Sequence, residues 1–265
     1  MRRIVHLSDL HFGRDRPELM RPLIETINRL APDLVAISGD FTQRARLGQY
    51  RAARAFLSLI DVPWIAVPGN HDTPLDNLFV RLLTPWTRYR RYISEDLEPT
   101  WRDDEVTVIG INTVNTWAWQ RGRIGQGTLR RVCDAVAGNV QAQTHVAMMH
   151  HPLEHAPGVD KRLMKGARRA LGKLADCGVD VVLSGHLHTW HVDPFTDHQG
   201  VLFVQAGTGL STRQRGEPND FNLLVLDGTR AEIEQWTADA LGSDFAPARR
   251  ARFEKFADGW VRAVD

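Results

Sequence analysis

The stretch VPGNHDT, Val67 to Thr73, ends an apolar run and decides how the rest of the chain is interpreted. The run from Trp64 to Val67 has the composition of a buried strand, but it is followed by Gly69, Asn70, His71 and Asp72. Polar side chains at the end of a buried strand are costly unless each finds a hydrogen-bond partner. The same residue types suit the binding of an ion, so the question is whether other strands end in a similar way.

The composition predicts an ordinary soluble globular protein. The chain has 265 residues, of which 43% are hydrophobic and 25% charged, enough for one large core or two small ones. The formal net charge of +1 gives no overall bias toward nucleic acid or membrane. Two cysteines, Cys133 and Cys177, do not make a disulfide framework, which favours a reducing compartment. Asp9 interrupts the N-terminal apolar run and no later run reaches membrane-spanning length, so we expect a cytoplasmic enzyme with no membrane partner.

Short apolar runs alternate with helix-like segments through most of the chain. Helices are predicted at Pro17–Leu30, Gln49–Ile60, Gly127–Ala137 and Lys161–Cys177, and residues 73–101 are predicted to be irregular. Beyond about His191, strands follow one another without helices. This order predicts an α/β fold in one domain, residues 1–237, with parallel strands followed by an antiparallel part. Residues 238–265 are predicted to form a C-terminal extension, either a helix or an arm.

Five predicted strands end in side chains that carry oxygen or imidazole nitrogen. These side chains are Asp9 and His11, Asp40, Asn70 to Asp72, His150 and His151, and His186 and His188. Ligands of open α/β sheets bind outside the carboxyl ends of the parallel strands, so we expect these groups to converge at one edge. Residues i and i+2 of a strand lie on the same side, so the pairs Asp9–His11 and His186–His188 are each predicted to aim at one place.

Carboxylate, imidazole and amide groups in this number predict two divalent metal ions. Such mixed ligands suit manganese, iron or zinc, and there are more of them than one tetrahedral site needs. Taken singly, each residue has a structural alternative: Asp9 and Asp40 as helix N-caps, Asn70 as a turn residue, each histidine as a buried structural group. Those alternatives do not explain why all the polar groups gather at one sheet edge.

The ordered series DLH, GD, GNHD, HHP and GHLH resembles the calcineurin-like binuclear metallophosphoesterases. It is most similar to the bacterial members that include the class III cyclic-nucleotide phosphodiesterases, and the resemblance runs from Ile4 to about Gly207. It implies a sandwich of two mixed β-sheets flanked by helices, with the metals at the C-terminal ends of the strands. The implied ligands are Asp9, His11 and His188 for the first metal, Asn70, His150 and His186 for the second, and Asp40 as the bridge. His71 would stabilise the transition state or protonate the leaving oxygen, and Asp72 would orient His71.

The resemblance implies a phosphoric ester hydrolase in which a hydroxide between the two metals attacks phosphorus in line. The leading substrate is a small phosphodiester, with a cyclic nucleotide as one candidate. Phe41 to Arg44 and Asp72 depart from the protein-phosphatase pattern, and no apolar lid supports the lipid A precursor hydrolases. A manganese-dependent nuclease, with nucleic acid only as substrate, or a phosphomonoesterase is the alternative. A non-catalytic scaffold is disfavoured because the set of ligands is complete.

Two loops and one histidine are candidates for contacts with substrate. Asn115 to Gly125 includes Trp117, whose ring can stack on a nucleobase or simply pack at a rim. Gly207 to Asp220 includes Arg213 and Arg215, which can pair with a phosphate or face solvent. His151 is a neighbour of the site with an open role, and a homodimer also remains open.

Overall fold

Two mixed β-sheets form the body of the protein. The computed structural model describes residues 1–139, 141–156, 158–159 and 161–263. The first sheet has seven strands in the order β13-β12-β11-β10-β1-β2-β3. They are β1 (Arg2–Leu7), β2 (Leu34–Ile37), β3 (Trp64–Ala66), β10 (Asp220–Asp227), β11 (Arg230–Ala238), β12 (Phe245–Phe256) and β13 (Gly259–Arg262). The strands β1, β2 and β3 are parallel, and β10 to β13 are joined to them by antiparallel pairing.

The second sheet has six strands in the order β4-β5-β6-β7-β9-β8. They are β4 (Thr100–Arg102), β5 (Val106–Ile111), β6 (Thr144–Met149), β7 (Val181–Ser184), β8 (His191–Pro194) and β9 (Leu202–Gln205). The four inner strands are parallel, and the two edge strands β4 and β8 are antiparallel to their neighbours.

Helices cover the outer faces of both sheets. They are α1 (Pro17–Leu30), α2 (Leu47–Leu57), α3 (Leu78–Leu83), α4 (Thr87–Tyr92), α5 (Gln126–Ala137) and α6 (Ala167–Asp176). One apolar cluster lies between the sheets, with Ile4 of β1 and Val108 of β5 in the same core. A second cluster packs α1 and α2 on the first sheet, and a third packs α5 and α6 on the second. Burial on both faces explains why the parallel strands are nearly continuous apolar runs.

The predicted α/β class with two mixed sheets and flanking helices is confirmed, and the predicted first helix matches α1 residue for residue. Two other expectations were wrong. Residues 73–101 contain α3, α4 and the start of β4, and the tail forms the strands β12 and β13 instead of a helix or an arm. Long strands with mostly exposed, charged side chains do not show the apolar pattern that identifies a strand in sequence. The division between residues 237 and 238 stays a prediction.

The two cysteines also differ from expectation. Cys133 of α5 and Cys177 at the end of α6 form a disulfide bond, with their Cα atoms 5.4 Å apart. They are separated by 44 residues in the chain and become neighbours only because α5 and α6 pack side by side. Among the described residues, no helix has both the length and the apolar character to cross a bilayer.

Candidate metal centre

The loops that follow the parallel strands meet at one end of the sandwich. The loop after β1 pairs with the loop after β2, since Asp9 N–H donates to Gly39 O at 3.0 Å and His11 N–H donates to Asp40 O at 2.9 Å. Within the second sheet, Gly185 N–H, after β7, donates to His150 O, after β6, at 3.1 Å, and between the sheets His186 N–H donates to Asp9 Oδ2 at 2.8 Å. The predicted convergence of the polar strand ends is therefore present in the structure.

Most of the candidate ligands have left-handed backbone conformations. Among the described residues, seven non-glycine residues have positive φ, and five of them are Asp9 (54°), His11 (49°), Asp40 (54°), His186 (72°) and His188 (59°). Such conformations cost about 1–3 kcal/mol each and concentrate at functional sites. The strands end before these residues, so the rule that residues i and i+2 of a strand lie on the same side does not apply to them. Asp9 and His11 nevertheless point into one group of side chains, as predicted, whereas the prediction for His186 and His188 was wrong, because they point into two different groups.

The first group consists of Asp9, His11 and His188, all buried. The Nε2 atom of His188 lies 3.0 Å from Asp9 Oδ1, and the Nε2 atom of His11 lies 3.3 Å from the same oxygen. The two Nε2 atoms are 3.2 Å apart. Three donor atoms therefore surround one point.

The second group contains His150, His151 and His186, and Asp40 connects it to the first. Asp40 Oδ2 lies 3.3 Å from His150 Nε2 and 3.6 Å from His11 Nε2, so one carboxylate oxygen faces both groups. His186 Nδ1 is 3.3 Å from His150 Nε2. Asp40 is thus placed as a group common to both sites, in agreement with the bridging role that the resemblance implies.

Asn70 lies in a short 3-10 turn, Asn70–Asp72, whose backbone packs against Asp40. Its neighbour His71 donates its N–H to Asp40 Oδ1 at 2.8 Å. A Cβ atom at Gly69 would lie 2.1 Å from the same oxygen, so glycine is required for this approach. Asn70 Oδ1 is buried and has no hydrogen-bond partner among the described residues.

These groups fit divalent metal ions. Metal–ligand bonds of about 2.0–2.2 Å place two ligands of one ion about 3–3.5 Å apart, close to the 3.0–3.6 Å separations measured here. Asp9 Oδ1 and Asn70 Oδ1 are buried oxygens without a hydrogen-bond partner in the described part of the chain, as expected of atoms that bind a cation. The assignment of individual residues to two ions stays a prediction.

Outer partners fix the orientation of the histidine rings. His150 Nδ1 lies 2.8 Å from the carbonyl oxygen of Ser38, and His188 Nδ1 lies 2.7 Å from that of Arg213. A carbonyl only accepts, so each Nδ1 carries the proton and Nε2 is the atom that faces the cluster. Burial alone would lower the pKa of His150, but the facing Asp40 carboxylate outweighs it and raises this pKa to about 9. The cluster thus attracts positive charge, which a proton or a metal ion can provide.

His71 is held by a carbonyl on one side and an arginine on the other. Its Nδ1 donates to Gln43 O at 2.8 Å, and its Nε2 accepts from Arg213 Nη1 at 3.0 Å. Burial lowers the pKa of His71, although Asp40 acts in the opposite direction. In this arrangement the ring is neutral and Nε2 has no proton to donate.

Asp72 does not orient the His71 ring as predicted. Its carboxylate accepts backbone N–H groups from Gly69, Thr42 and Phe41 at 2.9, 2.9 and 3.2 Å. It therefore holds the loop after β2 against the loop after β3. The backbone carbonyl of Gln43 orients the His71 ring instead. Because every residue has a backbone carbonyl, no residue type in the sequence indicates this contact.

The predicted substrate-contact residues have different positions around this centre. Arg213 touches His71, and His151 lies in the second group with its Nδ1 2.8 Å from Thr113 Oγ1. Trp117 is 81% exposed, and Arg215 is also exposed. Lys161 lies in no motif of the sequence; partial burial and the nearby charges of Arg215 and Arg213 lower its pKa, and its own charge acts on His186.

The sequence of the chain matches known proteins. The family model described as calcineurin-like phosphoesterase matches residues 2–190. A probable cyclic nucleotide phosphodiesterase of Moraxella catarrhalis is 27% identical over 84% of this chain and 83% of its own. The glycerophosphodiester phosphodiesterase GpdQ of Enterobacter lignolyticus is 31% identical over 26% of this chain and 29% of its own.

The fold is shared with solved structures at much lower identity. A dimetal phosphatase from Danio rerio superposes with a TM-score of 0.67 at 12% identity, covering 92% of this chain and 98% of that one. At this identity the likeness concerns the fold alone. Because the family model covers most of the chain, including all five motifs, the protein belongs to the calcineurin-like phosphoesterase family and is a phosphoric ester hydrolase.

Proposed function

We propose that the protein is a metal-dependent phosphodiesterase that hydrolyses a small phosphodiester, with a cyclic nucleotide as one candidate. The observation that carries the proposal is the pair of donor groups joined by Asp40, with His71 and Arg213 in contact beside them. The first ion would be held by Asp9, His11 and His188, the second by Asn70, His150 and His186, and Asp40 would be shared.

Two divalent ions at these positions would supply a nucleophile at neutral pH and neutralise charge on the phosphoryl oxygens. Manganese, iron and zinc all suit the mixed oxygen and imidazole ligands. The backbone carbonyls of Ser38 and Arg213 keep the rings of His150 and His188 in the tautomer that exposes Nε2. The protein's part is therefore to present donor atoms in a fixed arrangement.

His71 and Arg213 act on the substrate as a pair. The guanidinium is always charged and offers several N–H groups, so it can bind a phosphoryl oxygen and still contact His71 Nε2. Because His71 is neutral and accepts from Arg213, the group that faces the substrate as a donor in this arrangement is Arg213. His71 orients that arginine, and it protonates the leaving oxygen only when a proton reaches Nε2.

The preference for a diester is supported by the names of the relatives, which include phosphodiesterases of two kinds. A diester carries an organic group on each side of phosphorus and needs room for both. Arg215 is exposed two residues after Arg213, and Trp117 is exposed in the loop that begins at Thr113 beside His151, so both offer contacts for the group that is retained. Lys161 adds a further positive charge close to Arg215 and His186.

A substrate panel on metal-reconstituted protein tests the proposal. We expect hydrolysis of bis-p-nitrophenyl phosphate and of one or more cyclic nucleotides or glycerophosphodiesters, with much slower hydrolysis of p-nitrophenyl phosphate. A strong preference for the monoester would instead show a phosphomonoesterase. Degradation of single- or double-stranded DNA with manganese, without turnover of small diesters, would show a nuclease. Absence of turnover with every divalent metal would contradict the enzymatic assignment.

A further inference from the structure

Helix α3 has its polar and apolar faces reversed. Its buried residue is Arg81, which is only 4% exposed, whereas Leu78, Phe79 and Leu83 are 66%, 81% and 77% exposed. Phe79 and Leu83 are four residues apart and therefore form a pair on the face opposite to Arg81. A helix on the surface of a globular protein normally buries its apolar side chains.

The loop from Thr113 to Arg123 has the same character. Its ends are closed by a hydrogen bond from Arg123 N–H to Thr113 O at 2.8 Å, and both ends lie against His151 of the metal centre. Thr113 Oγ1 contacts the His151 ring, and a Cβ atom at Gly122 would lie 2.5 Å from it. Trp117 and Trp119 extend from the middle of this loop and are 81% and 65% exposed.

Arg81 fastens the helix to the loop and to the metal centre. Its Nε donates to Thr116 O at 2.8 Å, and its Nη1 donates to Thr73 Oγ1 at 2.7 Å, directly after the turn that carries Asn70 and His71. The third nitrogen of the guanidinium, Nη2, donates to Ala118 O. Five exposed apolar side chains are thus held together by one buried cation. We call them the apolar rim: Leu78, Phe79, Leu83, Trp117 and Trp119.

The segments that carry the apolar rim are basic. Residues 76–96 contain four arginines against Asp76, Glu95 and Asp96, and residues 113–123 contain two arginines and no acidic residue. Together the two segments have a formal excess of three positive charges, whereas the whole chain has a net charge of only +1. Exposed leucine, phenylalanine and tryptophan beside arginine are the features of protein surfaces that lie in the interface of an anionic bilayer.

We propose that the apolar rim binds the surface of an anionic lipid bilayer and holds the mouth of the metal centre against it. Trp117 is four residues from Thr113, a reach of no more than about 14 Å, so a bilayer on the rim is close to His151. This goes beyond the proposed phosphodiesterase and replaces the expectation, made from composition, that the protein has no membrane partner.

Two other partners, nucleic acid and a second copy of the chain, fit the apolar rim less well than a bilayer does. Nucleic acid matches the arginines and the tryptophans, but Leu78 and Leu83 offer no π-face for a base. A second copy of the chain, docked about a twofold axis through the rim, would bring the net positive segments of both copies together, with six arginines against three carboxylates on each.

The test is flotation of the metal-loaded protein with large unilamellar vesicles, without substrate, so the result does not depend on the proposed activity. We expect binding to vesicles of phosphatidylcholine with 30% phosphatidylglycerol, weaker binding to phosphatidylcholine alone, and partial release by salt. The variant with Phe79→Ser and Leu83→Ser should lose at least about tenfold in partitioning. Phe256→Ser is the matched control, since Phe256 is 58% exposed but lies at the other end of the first sheet, with Arg2 at the start of β1.

A second measurement does not depend on the helix variant. Brominated lipids should quench the tryptophan fluorescence of the unaltered protein, and Trp117→Phe with Trp119→Phe should remove most of that quenching. The proposal is overturned if the unaltered protein does not float with anionic vesicles at low salt, or if the helix variant binds them as well as the Phe256→Ser control. Binding of an oligonucleotide in place of vesicles would overturn it as well.

Discussion

The metal centre and the apolar rim break the usual distribution of residues in opposite directions. In the centre, charged and polar side chains such as Asp9, Asp40 and His150 are almost completely buried. In the rim, large apolar side chains such as Phe79 and Trp117 are more than four-fifths exposed. Buried polar groups and exposed apolar patches are the two informative exceptions in a globular protein.

Arg81 joins the metal centre to the apolar rim. Each of these two regions has groups that the described part of the chain leaves unsatisfied. The centre has buried carboxylate and amide oxygens without hydrogen-bond partners in the described part of the chain, which a cation would satisfy. The rim has apolar surface that no described residue covers, which the proposed bilayer would bury. The following changes test the metal centre and the rim separately.

The largest effect is expected from Asp40→Ala. This change removes the carboxylate that faces His11 and His150 and accepts the N–H of His71. Replacing groups that merely orient metal ligands costs about 10–100-fold, so loss of a shared ligand should abolish measurable turnover and reduce bound metal. Elemental analysis and steady-state kinetics measure both, with the exposed Asp61→Ala as a control. Normal metal content and turnover in the Asp40 variant would contradict the proposal that Asp40 is a ligand shared by two metal ions.

The next effect concerns the pair of His71 and Arg213. Arg213→Ala should lower kcat by about 10²–10³-fold, because it removes a preorganised donor to the phosphoryl group. His71→Ala should lower it by about 10²–10⁴-fold while both variants keep their metal. If the residues act as a unit, the double variant should be little worse than the slower single variant.

Arg215→Ala is the control for the arginine, since Arg215 is exposed and takes part in none of the described hydrogen bonds of His71. A change of less than about tenfold, mainly in KM, is expected for it. Full additivity of the Arg213 and His71 substitutions would show that the contact between them is not used in catalysis.

Asp220 is a buried carboxyl group outside the candidate metal ligands. It is expected to bind a proton, whereas the carboxylates of the metal centre are expected to bind a cation. It accepts the N–H of Gly207 at 2.8 Å and a side-chain N–H of Gln235. Burial raises the pKa of its carboxyl to about 7. Because the folded state then binds the proton more tightly than the unfolded state, this carboxyl favours folding at low pH, and that contribution is lost as the pH rises from about 4 to about 7.

Asp220→Asn should remove this pH dependence. The free energy of unfolding of the variant minus that of the unaltered protein should rise by about 2–3 kcal/mol between pH 5 and pH 8. Urea denaturation at several pH values measures the difference. A difference that is flat or falls over this range would show that Asp220 is already ionised at pH 5.

The smallest effect is expected from Arg81→Leu, which separates the rim from the centre. The hydrogen bonds of Arg81 to Thr73, Pro74, Thr116 and Ala118 are lost, and the partly buried carbonyls must bind water. We expect a loss of about 1–3 kcal/mol in the free energy of unfolding and faster proteolysis within residues 114–121, with unchanged metal content. Loss of metal would mean that Arg81 also supports the turn at Asn70.

The sequence predicted the chemistry of the centre better than its geometry. Asp40 and His150 can be recognised from the sequence, because carboxylate and imidazole are the side-chain groups that bind such metal ions. The left-handed conformations of Asp9 and His186 are not, because the alternation rule applies only within a strand and these residues follow its end. The contact of His71 with a backbone carbonyl has no sequence signal either.

The rim could not be predicted for a related reason. The segment LFVRLL, Leu78 to Leu83, lies in the stretch predicted to be irregular, and if it is taken as a surface helix the leucines are expected to be buried and the arginine exposed. The structure reverses this because the loop carbonyls at Thr116 and Ala118 capture the guanidinium. Only the tertiary contact decides which side of so short a helix is buried.

Metal stoichiometry after reconstitution with manganese, measured by elemental analysis with anomalous diffraction to locate the ions, tests the central claim most directly. The account predicts two ions per chain in the unaltered protein, loss of the ion beside Asp9 in His188→Ala, and loss of the ion beside His150 in His186→Ala. A single ion in the unaltered protein, or loss of the same ion in both variants, would contradict it.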